Sequence, residues 1–155
     1  MRGELLQLRG TLRAMSGGLA ASVQDFRECV RSVAEGSDLQ NRCIAGQARA
    51  LYELGSYAEA DRVFDQVSKQ SLVWPEILFE QAWNSYRKGE YNRSLGKLVS
   101  YKAPVLSFVY NPEIEVLRAQ SYLALCLYTD ANDVVNEFNS TYGPVSDEVK
   151  RLTSK

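Results

Sequence analysis

The sequence predicts an all-α fold, a right-handed superhelix (an α-solenoid) of stacked helix-turn-helix hairpins. Three observations lead there. Part of the chain matches itself at a shift of 34 residues, a spacing that belongs to helical repeat arrays. Apolar residues recur at helical spacing outside the repeat as well. Glycines and prolines fall between these segments, where helices should stop and start.

Residues 1–36 form the first element, a helical hairpin without the repeat signature. Leu5, Leu8, Leu12 and Met15 recur at helical spacing, Ser16-Gly17-Gly18 breaks the pattern, and Val23, Phe26, Val30 and Val33 resume it. Gly36-Ser37-Asp38 is a turn. Ser37 and Gln40 match a capping box, in which a hydroxyl and a Gln side chain satisfy the free N–H groups of a helix start.

Residues 37–140 hold three repeated hairpins, at about 41–74, 75–108 and 112–140. At the 34-residue shift Gln47, Ala48, Tyr52, Gly55 and Tyr57 fall on Gln81, Ala82, Tyr86, Gly89 and Tyr91. At a shift of 37, Pro75-Glu76-Ile77 falls on Pro112-Glu113-Ile114, Ala82 on Ala119 and Tyr91 on Tyr128. Each residue type fits a helical hairpin. Ala48, Ala82 and Ala119 are small where helices approach closely. Gly55 and Gly89 end the first helix of a pair, where a left-handed residue is needed. Tyr57, Tyr91 and Tyr128 open the second helix, and Ser56 to Glu59 reads as a second capping box. Asn111-Pro112-Glu113 combines an N-cap, a first-turn proline and an acid at the positive end of the helix dipole. The segment from Tyr101 to Asn111 is too apolar for a solvated loop. It reads either as cover for the array's own core or as part of a contact surface. Ser146-Asp147-Glu148 resembles a helix start, so residues 141–155 are expected to begin a further, truncated helix.

These residues resemble the tetratricopeptide repeat (TPR) family over roughly residues 41–140. The first unit carries Ala48, Leu51, Gly55, Tyr57, Ala60 and Phe64 at the family's positions. The second has Ser94 for the alanine and Leu98 for the aromatic. The third has Cys126 for the glycine and Val135 for the aromatic. The stretch from Trp74 to Phe138 is similar to a block found in longer bacterial proteins of this kind. The resemblance implies that the first helices of successive hairpins line a concave groove. It places Arg42, Ala45, Gly46, Arg49, Tyr52 and Glu53 in that groove from the first unit. From the second it places Glu76, Phe79, Glu80, Trp83, Tyr86 and Arg87, and from the third Glu113, Val116, Leu117, Gln120, Leu123 and Ala124.

The function expected is therefore a protein–protein interaction module, a scaffold or adaptor that binds a peptide or partner domain in a partly aromatic groove. The expected contacts are Arg49, Tyr52, Phe79, Trp83, Tyr86 and Arg87, residue types enriched at binding hot spots. The two arginines are expected to steer acidic groups. Trp83 also reads as packing against a neighbouring helix. Ala45, Arg49, Glu80, Glu113 and Leu117 stand where some family members grip a C-terminal carboxylate with Lys and Asn, so that clamp is not implied. The alternative is a purely structural segment of a longer solenoid whose binding site lies elsewhere.

Composition narrows the remaining classes. The chain has no histidine, which removes the commonest general base and every Ser–His or Cys–His arrangement. Glu53 with Glu59, or Glu76 with Glu80, read as solvated faces or ion pairs rather than catalytic pairs. No phosphate-binding glycine motif occurs. No enzyme, cofactor or metal is expected. The 18 basic and 19 acidic residues are interspersed, without the basic face that nucleic acid requires. No stretch approaches the ~20 apolar residues of a membrane span. Cys29, Cys43 and Cys126 are odd in number and share no CxxC spacing, so they read as small buried apolar residues, with no disulfide framework or zinc site implied. The charged N-terminus favours the cytoplasm if Met1 is the native start, and the periplasm or cell envelope remains open for an excised fragment. Self-association through exposed ends of the stack is a further possibility.

Overall fold

The computed structural model describes residues 1–154; among them are eight α-helices, two short 3-10 turns and no strand. Lys155, the last residue of the expected truncated helix, lies outside the described residues. The chain divides into two compact units, Met1–Gly89 and Glu90–Lys155.

The first unit contains α1 (Arg2–Met15), α2 (Leu19–Ser32), α3 (Asp38–Glu53), α4 (Tyr57–Phe64) and α5 (Trp74–Arg87). Each helix packs on the next, and α1 also reaches α3. The main core gathers Val23, Ile44, Ala48, Leu51, Ala60, Val63, Phe64 and Ile77. A second cluster joins Leu6, Phe26, Cys29 and Cys43 at the α1–α2–α3 junction. Ala48 and Ala82 are fully buried, as their spacing requires.

α1 packs through an unexpected face. Gly3, Leu6 and Gly10 are buried, while Leu5, Leu8, Leu12 and Met15 point outward and are exposed. The glycines allow close approach: a Cβ at Gly10 would stand 3.1 Å from the Phe26 ring. Ser22 Oγ donates to the Gly10 carbonyl at 2.7 Å. The buried Asp25 carboxylate accepts from Arg9 and Arg13, both at 2.7 Å. Burying a carboxylate is costly unless it is paired and hydrogen-bonded, and here both partners come from α1.

The second unit contains α6 (Tyr91–Val99), α7 (Glu113–Ala124) and α8 (Tyr128–Thr153), with the 3-10 turns Ser100–Lys102 and Pro104–Leu106 after α6. Its core uses Leu98, Leu106, Ile114, Leu117, Ala131 and Val134. Of the apolar connector, Leu106 is buried while Val105, Phe108 and Tyr110 are exposed. Tyr110 meets Tyr142 edge-on at 5.9 Å. Ala119 is only half-buried. Val135 is exposed, and its neighbour Val134 takes the buried place instead. α8 continues through Gly143 and Pro144, so residues 141–153 extend it rather than begin a separate helix.

The hairpin turns follow the repeat closely. α4, α6 and α8 begin at Tyr57, Tyr91 and Tyr128. Gly55 and Gly89 have φ of 75° and 78°, the left-handed conformation that ends a helix. Cys126 occupies the same position at φ 59°, although its Cβ makes this conformation costly. Cys126→Gly is therefore expected to stabilise the fold by about 0.5–1 kcal/mol, the strain relieved less the added flexibility of the unfolded chain. A denaturant midpoint that falls rather than rises would contradict this.

The helix starts are partly as expected. The Gln40 N–H donates to Ser37 Oγ at 3.1 Å, but Gln40 Oε1 accepts from the Gly36 N–H at 2.8 Å instead of closing on Ser37. Ser56 makes no side-chain cap, and Glu59 pairs with Arg27 at 3.2 Å. Asn111 Oδ1 accepts from the Glu113 N–H at 3.1 Å.

The cysteine reading is corrected. Cys29 and Cys43 form a disulfide that ties α2 to α3, and Cys126 is free and exposed rather than buried. The bridge is possible because the two helices bring the Cα atoms to 6.0 Å, within disulfide range. No helix among the described residues is long and apolar enough to cross a membrane.

Candidate partner-binding groove

Helical periodicity sets one row of side chains on each of two neighbouring helices. On α3 the row is Arg42, Ala45, Gly46, Arg49, Tyr52 and Glu53; on α5 it is Glu76, Phe79, Glu80, Trp83 and Tyr86. Spacings of three and four residues place such side chains on one face. Ala45 and Gly46 are buried, so this part of α3 presents little side chain.

Two adjoining clefts lie over these rows. One of ≈ 680 Å³ is walled by Gln7, Thr11 and Ala14 of α1 and by Val73 and Glu76, with Ala45, Gly46, Arg49 and Glu53 of α3 among its lining. The other, of ≈ 460 Å³, is lined by Arg49, Tyr52, Glu53, Phe64, Phe79, Glu80 and Trp83. Arg49 and Glu53 line both. The second cleft has the aromatic character expected from the sequence. Trp83 meets Phe79 edge-on at 6.5 Å and Tyr86 edge-on at 5.7 Å, geometries that favour aromatic pairs. All three rings are half-buried. Tyr52 lies 5.4 Å from the Tyr57 ring, and burial pushes its phenol above the usual value.

Of the six expected contact residues, four line one cleft: Arg49, Tyr52, Phe79 and Trp83. Tyr86 joins through its contact with Trp83. Arg87 does not line it. Its Nε and a terminal nitrogen donate to Tyr57 Oη at 3.1 and 2.8 Å, and its guanidinium stands 5.4 Å from that ring's centroid. Arg87 thus braces α5 against the start of α4, where Asn84 Nδ2 also donates to the Tyr57 carbonyl at 2.9 Å.

The electrostatics also differ from the expectation. Arg49 donates to Glu80 through Nε, at 3.0 and 2.8 Å to its two oxygens, and through a terminal nitrogen at 2.7 Å; it also reaches Glu76 at 3.2 Å. The hydrogen bond to Glu80 is the main cause that raises Arg49 above the ordinary guanidinium value. Among the described residues none forms an ion pair with Glu53. Arg42, which also lines the first cleft, pairs with Asp38 at 2.7 Å, so the lining sets two guanidiniums, both already engaged, against Glu53, Glu76 and Glu80. The Arg49–Glu80 pairing joins residues 31 apart, so only the packed helices reveal it.

In the third unit, Leu117 is fully buried and belongs to the core rather than to a groove face, whereas Val116 and Leu123 are exposed. No cluster of three or more metal-ligating side chains occurs among the described residues.

No family model matches the chain, and no curated protein does. Solved structures do share its fold. One is the MamA RS-1 ArsTM double mutant, a TPR-like protein, with a TM-score of 0.72 at 16% identity over 90% of this chain and 74% of that one. The chain has a TPR-like helical repeat fold. At this identity the likeness is one of fold, the class expected from the 34-residue repeat.

Proposed function

We propose that this chain is a non-enzymatic interaction module that holds a segment of another protein in the α1–α3–α5 groove. The TPR-like fold supports a scaffold role in general. The row Phe79–Trp83–Tyr86 carries the specific reading, because it presents half-buried aromatic surface beside a cleft. Such surface gains most from desolvation when a partner side chain enters.

The charge pattern refines the partner. Arg49 is neutralised by Glu80 and Glu76, and Glu53 is unpaired, so a Lys or Arg flanking an apolar anchor complements the groove better than an acid does. The charged rim sets orientation and association rate more than affinity.

Selection of a displayed random-peptide library on the intact protein tests this. The expected winners carry an aromatic or branched apolar anchor beside a basic residue. Trp83→Ala, used as the bait, loses that enrichment. Enrichment of acidic peptides, or the same winners on both baits, would contradict the assignment.

A further inference from the structure

The most conspicuous unpartnered surface lies on α1, away from the groove proposed above. Met1, Leu5, Leu8, Leu12 and Met15 are 97%, 66%, 58%, 66% and 81% exposed. Their spacing alternates four, three, four and three, the a/d pattern of a coiled-coil seam. The opposite face of the same helix carries the buried Gly3, Leu6 and Gly10. α1 therefore buries two glycines and one leucine, Leu6, and turns its other leucines outward.

We propose that this stripe pairs with α1 of a second copy of the chain, parallel and in register. Area is one argument. Five such side chains would remove on the order of 600 Å² per copy, close to the ~800 Å² per partner of a standard specific interface and larger than a casual patch. α1 is already held by α2 and α3, so pairing requires no helix formation at that moment.

Charge selects the orientation. Arg2 and Arg9 flank one side of the seam, Glu4 and Thr11 the other. In a parallel pair, Glu4 of one copy lies opposite Arg9 of the other, twice by symmetry. In an antiparallel pair, the two Arg9 side chains meet across the twofold axis. Arg9 binds Asp25 through one terminal nitrogen while its side chain stays half-exposed. Glu4 is exposed and pairs with the Met1 amino group at 3.1 Å. Both are thus able to make the second contact.

The test uses the whole chain with Cys126→Ser, which removes the exposed thiol. Light scattering behind size exclusion at high micromolar concentration should give the mass of two chains. Leu8→Glu with Leu12→Glu should give one chain with an unchanged helical spectrum, and it should melt like the wild-type chain diluted until monomeric, because both side chains are exposed. Glu4→Lys should weaken the dimer roughly threefold to tenfold. Leu12→Cys should cross-link to itself under mild oxidation, as only parallel pairing superposes the two positions. A monomeric wild-type chain, or a dimer that survives the double substitution, overturns the proposal. So does cross-linking of Leu12→Cys only to Leu8→Cys, the signature of antiparallel pairing.

Discussion

Gly46→Val is expected to destabilise the protein by about 3 kcal/mol, at the upper end of the range for overpacking a core. A Cβ at position 46 would stand 2.4, 2.5 and 2.8 Å from three carbons of the Phe26 ring, inside any tolerable contact. The ring has little room to retreat, since Gly10 of α1 presses on it from another helix, where even a methyl group would stand at 3.1 Å. Phe26 is thus a wedge between glycines of α1 and α3, and all three helices depend on its position. The complementary change, Phe26→Ala, removes the wedge and should cost about 3–5 kcal/mol. Because both substitutions act on one contact, Gly46→Ala should cost much less in a Phe26→Leu background than alone. Urea denaturation of the wild type, Gly46→Ala, Phe26→Leu, their double variant and Gly46→Val measures this. Additive effects, or a Gly46→Val chain within about 0.5 kcal/mol of wild type, the range of ordinary surface changes, would show that the helices are not this close.

Breaking the Cys29–Cys43 bridge is the second large effect. The two residues are 14 apart in sequence, and closing a loop of that length stabilises by about 3 kcal/mol through the unfolded state. Replacing both with serine should lower the melting temperature by roughly 10 °C or more for a unit of this size. Both cysteines are fully buried in the native protein, so reductant should act on unfolded chains before folded ones. Thiol titration of unfolded, unreduced protein should find one group, Cys126, and reduction should raise this to the three cysteines of the sequence. Bridges of this kind persist in oxidising compartments, so protein made in a reducing cytoplasm is expected to carry the free thiols and the lower melting temperature. Three reactive thiols in protein folded under oxidising conditions would contradict the bridge.

Local signals and long-range ones differed sharply in legibility. The turns could be read because their chemistry lies within a few residues. Gly55 and Gly89 adopt the left-handed conformation their positions require, and Cys126 adopts it despite its side chain. Tyr57, Tyr91 and Tyr128 open their helices for the same reason. The face that α1 buries was not legible. Its leucines have the helical spacing of a core face, but glycines at 3 and 10 let it approach α2 and α3 more closely on the other side. Spacing alone cannot rank a tight small-residue contact against a looser large-residue one. The disulfide, the Asp25–Arg9–Arg13 cluster and the Arg87–Tyr57 contact all join different helices. Each depends on helix packing that no local pattern encodes. The aromatic row on α5 was legible from its spacing. The pairing of Arg49 with Glu80 was not, and it occupies the guanidinium expected to steer acidic groups.

The central claim is that the α1–α3–α5 groove binds a partner through Trp83. Calorimetric titration of one library-selected peptide into wild-type protein and into Trp83→Ala tests it most directly, with thermal unfolding of both chains alongside. The expected result is a loss of about 2 kcal/mol of binding, roughly a thirtyfold weaker Kd, with little change in melting temperature because the indole is only half-buried at the groove surface. Equal affinity for the two folded chains would contradict the account, as would unfolding of Trp83→Ala, which would make the indole part of the core.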